Sequence, residues 1–204
     1  MDITLAVFSL VGTAVFAASG ALVAAEQKFD VIGAVFLSVA AGIGGGTIVD
    51  LMTGVEVRWL TAPERLWAAL VAAVVVFEAV RFGAPPDKTL AWADAAGLAL
   101  FTATGIQRLA PMGFDPAVAV FLTAIGAAGG GIVRDVLANR APLVFSGEIY
   151  VTAALLGALV YYAVKLAGAD DAWALAAALV LTFAVRAAGI LFAIRLRPGR
   201  MTGQ

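Results

Sequence analysis

The sequence predicts an all-α membrane protein with seven transmembrane helices, arranged as two inverted three-helix repeats plus a seventh helix. Three observations predict it. Of 204 residues, 63% are hydrophobic and 13% charged, and mean hydropathy is +1.01; a soluble chain sits near about half and a quarter. Seven apolar segments are long enough to cross a hydrocarbon layer of ~30 Å. The chain also matches itself when shifted by 85 residues.

The segments run 3–25, 31–53, 64–82, 92–110, 116–138, 147–167 and 172–195. The first follows an acidic start, Met1-Asp2-Ile3, and stays apolar for roughly 20 residues, so it reads as a span and not a cleavable signal. Connectors marked by charge, Pro or Gly separate the segments, and none is long enough to hold a soluble domain. Spans rich in Ala, Leu and Val with internal Gly suit helices, whereas barrel strands alternate apolar and polar residues. Residues 1–204 are thus expected to form one transmembrane domain, with repeat one over 3–82, repeat two over 92–167 and the seventh helix over 172–195. Trp59, Trp67, Trp92 and Trp173 fall near span ends, where an aromatic belt is expected.

Orientation follows from Lys and Arg near the span ends. One side collects Lys28, Arg81, Lys88, Arg134, Arg140, Arg195, Arg197 and Arg200; the other has Arg58, Arg65, Arg108 and Lys165. The richer side is expected to be cytoplasmic, with the N-terminus outside and the C-terminus inside a bacterial inner membrane. A net charge of −1 argues against nucleic-acid binding, which needs a basic face. With no Cys and no His, thiolate, zinc and imidazole chemistry are excluded. No enzyme activity, cofactor or metal site is expected.

The repeat is sharpest at its glycines. Gly44-Gly45-Gly46 falls on Gly129-Gly130-Gly131, Asp50 on Asp135, Phe16 on Phe101, and Phe29-Asp30 on Phe114-Asp115. A unit of three crossings is odd, so its second copy enters the membrane from the opposite side. Each Gly in a helix interior costs about 1 kcal/mol relative to Ala. Two triplets therefore predict bent or unwound helices lining a wet path; close helix packing is the alternative. Thr47 adds a hydroxyl beside the first triplet, as Thr102, Thr104 and Thr123 do elsewhere.

Carboxylates and guanidiniums inside a membrane are expensive and usually functional. Asp50 and Asp135 lie one turn past their triplets, where they would attract cations to the two mouths of one path, or else cap helix ends or pair with neighbours. Arg134 has the apolar Val49 as its repeat mate, so it is expected to act on one side only, as a gate, a lipid-phosphate contact or an ion pair. Arg186, well inside the last span, needs a partner or a water-filled cavity.

The twin triplets, the stretch Gly129-Gly130-Gly131-Ile132-Val133-Arg134-Asp135-Val136-Leu137, Arg140-Ala141-Pro142 and Tyr150 resemble the prokaryotic branch of the trimeric intracellular cation (TRIC) channel family. The resemblance covers essentially the whole chain. It implies a homotrimer in the bilayer with a separate path for K⁺ and Na⁺ in each protomer, lined by the second and fifth helices kinked at Gly44 to Gly46 and Gly129 to Gly131. Animal members of that family carry Lys-Glu-Val where this chain has Arg134-Asp135-Val136. From the residues alone, a secondary transporter of a small solute such as an amino acid fits inverted repeats equally well.

Overall fold

A computed structural model describes residues 3–145 and 149–194. Among them are eight α-helices: α1 (Ile3–Glu26), α2 (Val31–Met52), α3 (Arg58–Thr61), α4 (Glu64–Phe82), α5 (Thr89–Leu109), α6 (Pro116–Leu137), α7 (Val151–Leu166) and α8 (Asp171–Phe192). Short 3₁₀ turns follow α5 and α6, at Ala110–Met112 and Leu143–Phe145. Arg195, Arg197 and Arg200, used for the orientation, lie outside the described residues, as do positions 147 and 148 of the sixth expected span.

Five of these helices (α1, α2, α5, α6, α8) are long and apolar enough to cross a membrane by themselves. The other two expected spans depart from that standard for different reasons. Helix α4 has the length but carries Glu64, Arg65, Glu78 and Arg81. Helix α7 has 16 residues, about 24 Å at 1.5 Å per residue, because the chain after α6 turns through a 3₁₀ segment before becoming helical at Val151.

Local chemistry starts and ends the helices, and it does so in pairs 85 residues apart. Asp30 caps α2 by accepting from Gly33 N at 2.7 Å, and Asp115 caps α6 by accepting from Ala117 N at 2.8 Å; each satisfies an orphan donor of the first turn. After α2 and α6 the chain turns through left-handed residues at Gly54 (φ +67°) and Asn139 (φ 53°). Gly and Asn are the residues that tolerate this region best.

Helices α1, α2 and α4 pack on one another, as do α5, α6 and α7, while α8 lies on α5 and α7. The two sets meet through α2 against α6 and α1 against α5. Their contacts are reciprocal. Gly45 faces Gly126 while Gly130 faces Ala41; Gly44 faces Val133 while Gly129 faces Ile48; Gly12 faces Phe101 while Gly97 faces Phe16. In each case the second contact is the first with both residues moved to their 85-residue mates. Phe16 and Phe101, mates themselves, stack at 5.5 Å between ring centroids.

Both glycine helices run without interruption through their triplets. The unwinding expected from sequence is absent, because the missing side chains serve close approach. A Cβ on Gly45 would collide with Gly126 O, and one on Gly130 with Ala41 O; one on Gly129 would lie 2.9 Å from Gly45 Cα. Backbone thus packs on backbone, as small residues permit in membrane helices.

The outer surface is apolar: Phe36 and its mate Phe121 are 69% and 62% exposed, and Val75, Val180 and Leu191 also face outward. Trp67 and Trp173 point outward as belt residues should, but Trp59 turns inward to donate to Thr47 Oγ1 at 3.1 Å. Glu78 pairs with Arg81 on the exposed side of α4.

The crossing generates a test. Gly45→Ala and Gly130→Ala push a methyl group into backbone and are expected to cost about 1–3 kcal/mol or more. Gly46→Ala meets only the flexible end of Arg58 and is expected to cost less. Thermal unfolding of the purified variants in detergent checks the ranking.

Candidate functional site

Beside the α2–α6 crossing, toward the face where α1 begins, lies a crevice of mostly apolar lining that carries several charged and hydroxyl side chains. It comprises two adjoining pockets of ≈ 20 Å³ each, room for about one water apiece. Gly46, Arg58 and Phe101 wall both pockets; Thr13, Thr47, Asp50 and Arg65 complete the first, and Arg108 and Thr123 line the second. Of the triplet residues, Gly46 stands in these walls. Gly44, Gly45, Gly129 and Gly130 are taken up by the helix contact, and Gly131 faces elsewhere.

Asp50 organises the mouth of the crevice. It is 2% exposed and accepts from the backbone N–H of Arg58 at 3.2 Å, from Arg58 Nε at 3.1 Å and from Arg108 Nη1. Arg65 stands in the same wall. Burial, then the charge of Arg108, pull the Arg58 guanidinium down to about 10 while Asp50 acts the other way, so it stays charged at neutral pH. Asp50 therefore presents no free carboxylate to an arriving cation. Arg58 and Arg108 pair with Asp50, while Arg65 has Glu64 as well as Asp50 acting on it, so cations outnumber carboxylates at the mouth.

The opposite face is closed by a buried network around Arg134. Arg134 Nε donates to Asp135 Oδ1 at 2.9 Å, and Nη1 donates to Asp94 Oδ1 at 3.0 Å and Ser19 Oγ at 2.8 Å. Arg134 and Asp94 are fully buried. A guanidinium between two carboxylates pairs the buried charges, while Arg134 Nη2 and Asp94 Oδ2 have no hydrogen-bond partner. Gly131 makes room for it: a Cβ there would lie 3.0 Å from Tyr150 Oη and 3.3 Å from Asp94 Oδ1. Arg186, also fully buried, sits 5.1 Å from the centre of the Tyr150 ring and donates to Ile149 O at 3.4 Å.

The two aspartates share one structural task. Asp50 Oδ2 accepts from the backbone N–H of Arg58, and Asp135 Oδ2 from that of Leu143 at 3.4 Å, in both cases eight residues further on. Each carboxylate ties the connector to the helix it follows. The side chains around them then differ. Val49 holds the place of Arg134, Ser9 that of Asp94, and Arg65 that of Tyr150.

Of the residues expected to act from sequence, Asp50 and Thr47 line the crevice, while Arg134, Asp135 and Arg186 lie in or beside the buried network; their particular partners were not identified from sequence. Asp94 and Ser19 lie 40 and 115 residues from Arg134. A lone carboxylate in an apolar segment was the available signal for Asp94, since such a charge requires a countercharge. Arg58, Arg65 and Arg108 registered only as topology charges. Thr104 and Thr123 bond back to their own helices, at Leu100 O and Ala119 O.

Comparison with known proteins gives the class and then the family. The TRIC trimeric intracellular cation channel orthologue from Rhodobacter sphaeroides superposes with a TM-score of 0.90 at 36% identity, over 95% of this chain and all of that one. A UPF0126 membrane protein of Vibrio cholerae is 34% identical over 191 residues, 91% of this chain and 78% of the relative. The UPF0126 inner membrane protein YadS of Escherichia coli K12 is 38% identical over 157 residues, 74% of each chain. The fold is that of the prokaryotic TRIC proteins, and the chain is a multi-pass membrane protein. It belongs to the family described as "Glycine transporter", whose model matches it twice, over residues 6–81 and 91–165.

The buried network generates a second test. Asp94→Asn deprives Arg134 of a countercharge and is expected to cost about 3–5 kcal/mol. Ser19→Ala removes one hydrogen bond and is expected to cost about 1 kcal/mol. Thermal unfolding in detergent should rank the two in that order.

Proposed function

We propose that this protein is a passive channel for monovalent cations, K⁺ and Na⁺, captured here in a closed state. The observation that carries the reading is the likeness, at 36% identity and a TM-score of 0.90, to a protein described as a TRIC trimeric intracellular cation channel. The protein is a homotrimer in the inner membrane, with one path in each protomer and no enzymatic role. Its N-terminus is outside and its C-terminus cytoplasmic. The chain forms one transmembrane domain of seven crossings, α1, α2, α4, α5, α6, α7 and α8. The first six form two inverted repeats, a reading supported by the reciprocal contacts across the α2–α6 and α1–α5 junctions.

The path follows the crevice beside the crossing, past Gly46 and Thr47, to the cytoplasmic face. Guanidiniums block both ends in this state. Arg58 and Arg108 hold Asp50 at the outer mouth, and Arg134 sits across the inner end between Asp94 and Asp135. A cation passes when Arg134 withdraws and the carboxylates face the path unmasked. No carbonyl ladder of the K⁺-filter kind is present among the described residues, so selectivity among small cations is expected to be weak.

A second reading has its own support. The matching family model is described as "Glycine transporter", and a cationic crevice suits the carboxylate of an amino acid. Under this reading, inverted halves alternate access to a zwitterion instead of opening a continuous path.

Planar bilayer recording separates the two. The channel reading expects single-channel K⁺ currents whose reversal potential follows the K⁺ gradient, with open probability raised in Arg134→Ala and intermediate in Arg134→Lys. Silent bilayers containing folded trimers, together with saturable glycine uptake into proteoliposomes, would establish the transporter instead.

A further inference from the structure

Withdrawal of Arg134 would leave two buried carboxylates without the cation they share. Asp135 keeps a second donor, the backbone N–H of Leu143. Asp94 is fully buried and takes its hydrogen bond from Arg134 Nη1 at 3.0 Å. A bare carboxylate at membrane depth is costly, so a replacement donor has to stand close by. Ser19 is not that donor, because its hydroxyl donates to Phe16 O at 2.7 Å. Tyr150 is placed for the task. Its buried hydroxyl lies beside the Asp94 carboxylate but makes no hydrogen bond of ordinary geometry; Asp94 Oδ2 and Arg134 Nη2 are likewise unpartnered. The three groups crowd around Gly131: a Cβ there would lie 3.0 Å from Tyr150 Oη, 3.3 Å from Asp94 Oδ1 and 3.6 Å from Arg134 Nη2. Arg186 sits 5.1 Å from the centre of the Tyr150 ring and holds the phenol in place. Its O–H can still turn about the C–O bond, a motion that needs no backbone shift.

We infer that Tyr150 is the positioning residue of the inner gate: when Arg134 withdraws, the Tyr150 hydroxyl donates to Asp94 Oδ2, holding the carboxylate and leaving Oδ1 to face the path. Arg134 and Tyr150 are thus alternative partners of one carboxylate. The closed arrangement leaves hydrogen-bonding capacity unused on all three groups, which calls for an explanation in a fully buried cluster. A second arrangement that takes up this capacity supplies one, and the pair of arrangements makes a two-state element. At the mate positions stand Val49, Ser9 and Arg65, so the outer mouth has no counterpart. The inference rests on the reading of Arg134 as a gate and goes beyond it by naming what replaces the arginine.

A double-mutant cycle tests the exchange without requiring flux. Unfolding equilibria of the full chain are measured in mixed detergent micelles for wild type, Tyr150→Phe, Arg134→Ala and the double variant. With Arg134 in place, Tyr150→Phe removes a hydroxyl that bonds nothing, and the unfolding equilibrium is expected to change less than about threefold. In Arg134→Ala the same substitution deprives Asp94 of its donor. The change there is expected to be at least about tenfold larger, the scale of one hydrogen bond to a charged group. Arg134→Met, which keeps the bulk without the donors, serves as the background if Arg134→Ala does not fold. An equal effect of Tyr150→Phe in both backgrounds would overturn the exchange. In planar bilayers, Tyr150→Phe is expected to shorten openings and leave the unitary conductance unchanged; unchanged open times would overturn the role as well. A silent wild type sinks the channel reading alone, and the cycle still decides the exchange.

Discussion

Everything in this protein depends on two helices approaching until their backbones touch. In lipid, apolar side chains gain nothing by leaving the solvent, so helix association rests on packing and on hydrogen bonds. The α2–α6 crossing supplies the packing. Gly45 and Gly130 give up side chains, and with them some helix propensity, so that carbonyl oxygens of the partner helix can occupy the space. Because the two residues are mates in the repeat, the same local sequence provides both surfaces, and one short motif written twice fixes the junction of the halves.

That junction determines where polar groups can lie. Close contact between α2 and α6 leaves space only to the side, and the crevice with Gly46, Thr47 and Asp50 occupies it on one face. On the other face the corresponding region is filled by Arg134 and its partners. The internal symmetry therefore extends to the backbone and the aspartates but stops at the side chains around them. An arginine is buried between two carboxylates at one end; at the other, Arg58 and Arg108 share Asp50 and Glu64 also acts on Arg65.

Much of this was legible in the sequence, and the failures have identifiable causes. The paired triplets, the aspartates beside them and the caps Asp30 and Asp115 all recur at one fixed spacing, so self-comparison found them. Glycine could not be read so directly, since one residue type serves both unwinding and close approach. Only a helix packed against Gly45 decides between them. Asp94 and Ser19 were missed as partners of Arg134 because they come from α5 and α1, and spacing along the chain holds no record of that meeting. Arg58, Arg65 and Arg108 were counted as topology signals because each lies near a span end; their convergence on Asp50 is a property of the folded connector.

One modest feature has a mechanical consequence. The connector after each glycine helix is fastened to that helix by a carboxylate, through the backbone N–H of Arg58 in one half and of Leu143 in the other. Helix and connector are thereby one lever. A tilt of α2 would carry Trp59 and the guanidinium of Arg58 with it, and a tilt of α6 would carry the turn at Leu143. Motion at the crossing would therefore reach both connectors at once, without a separate hinge at either.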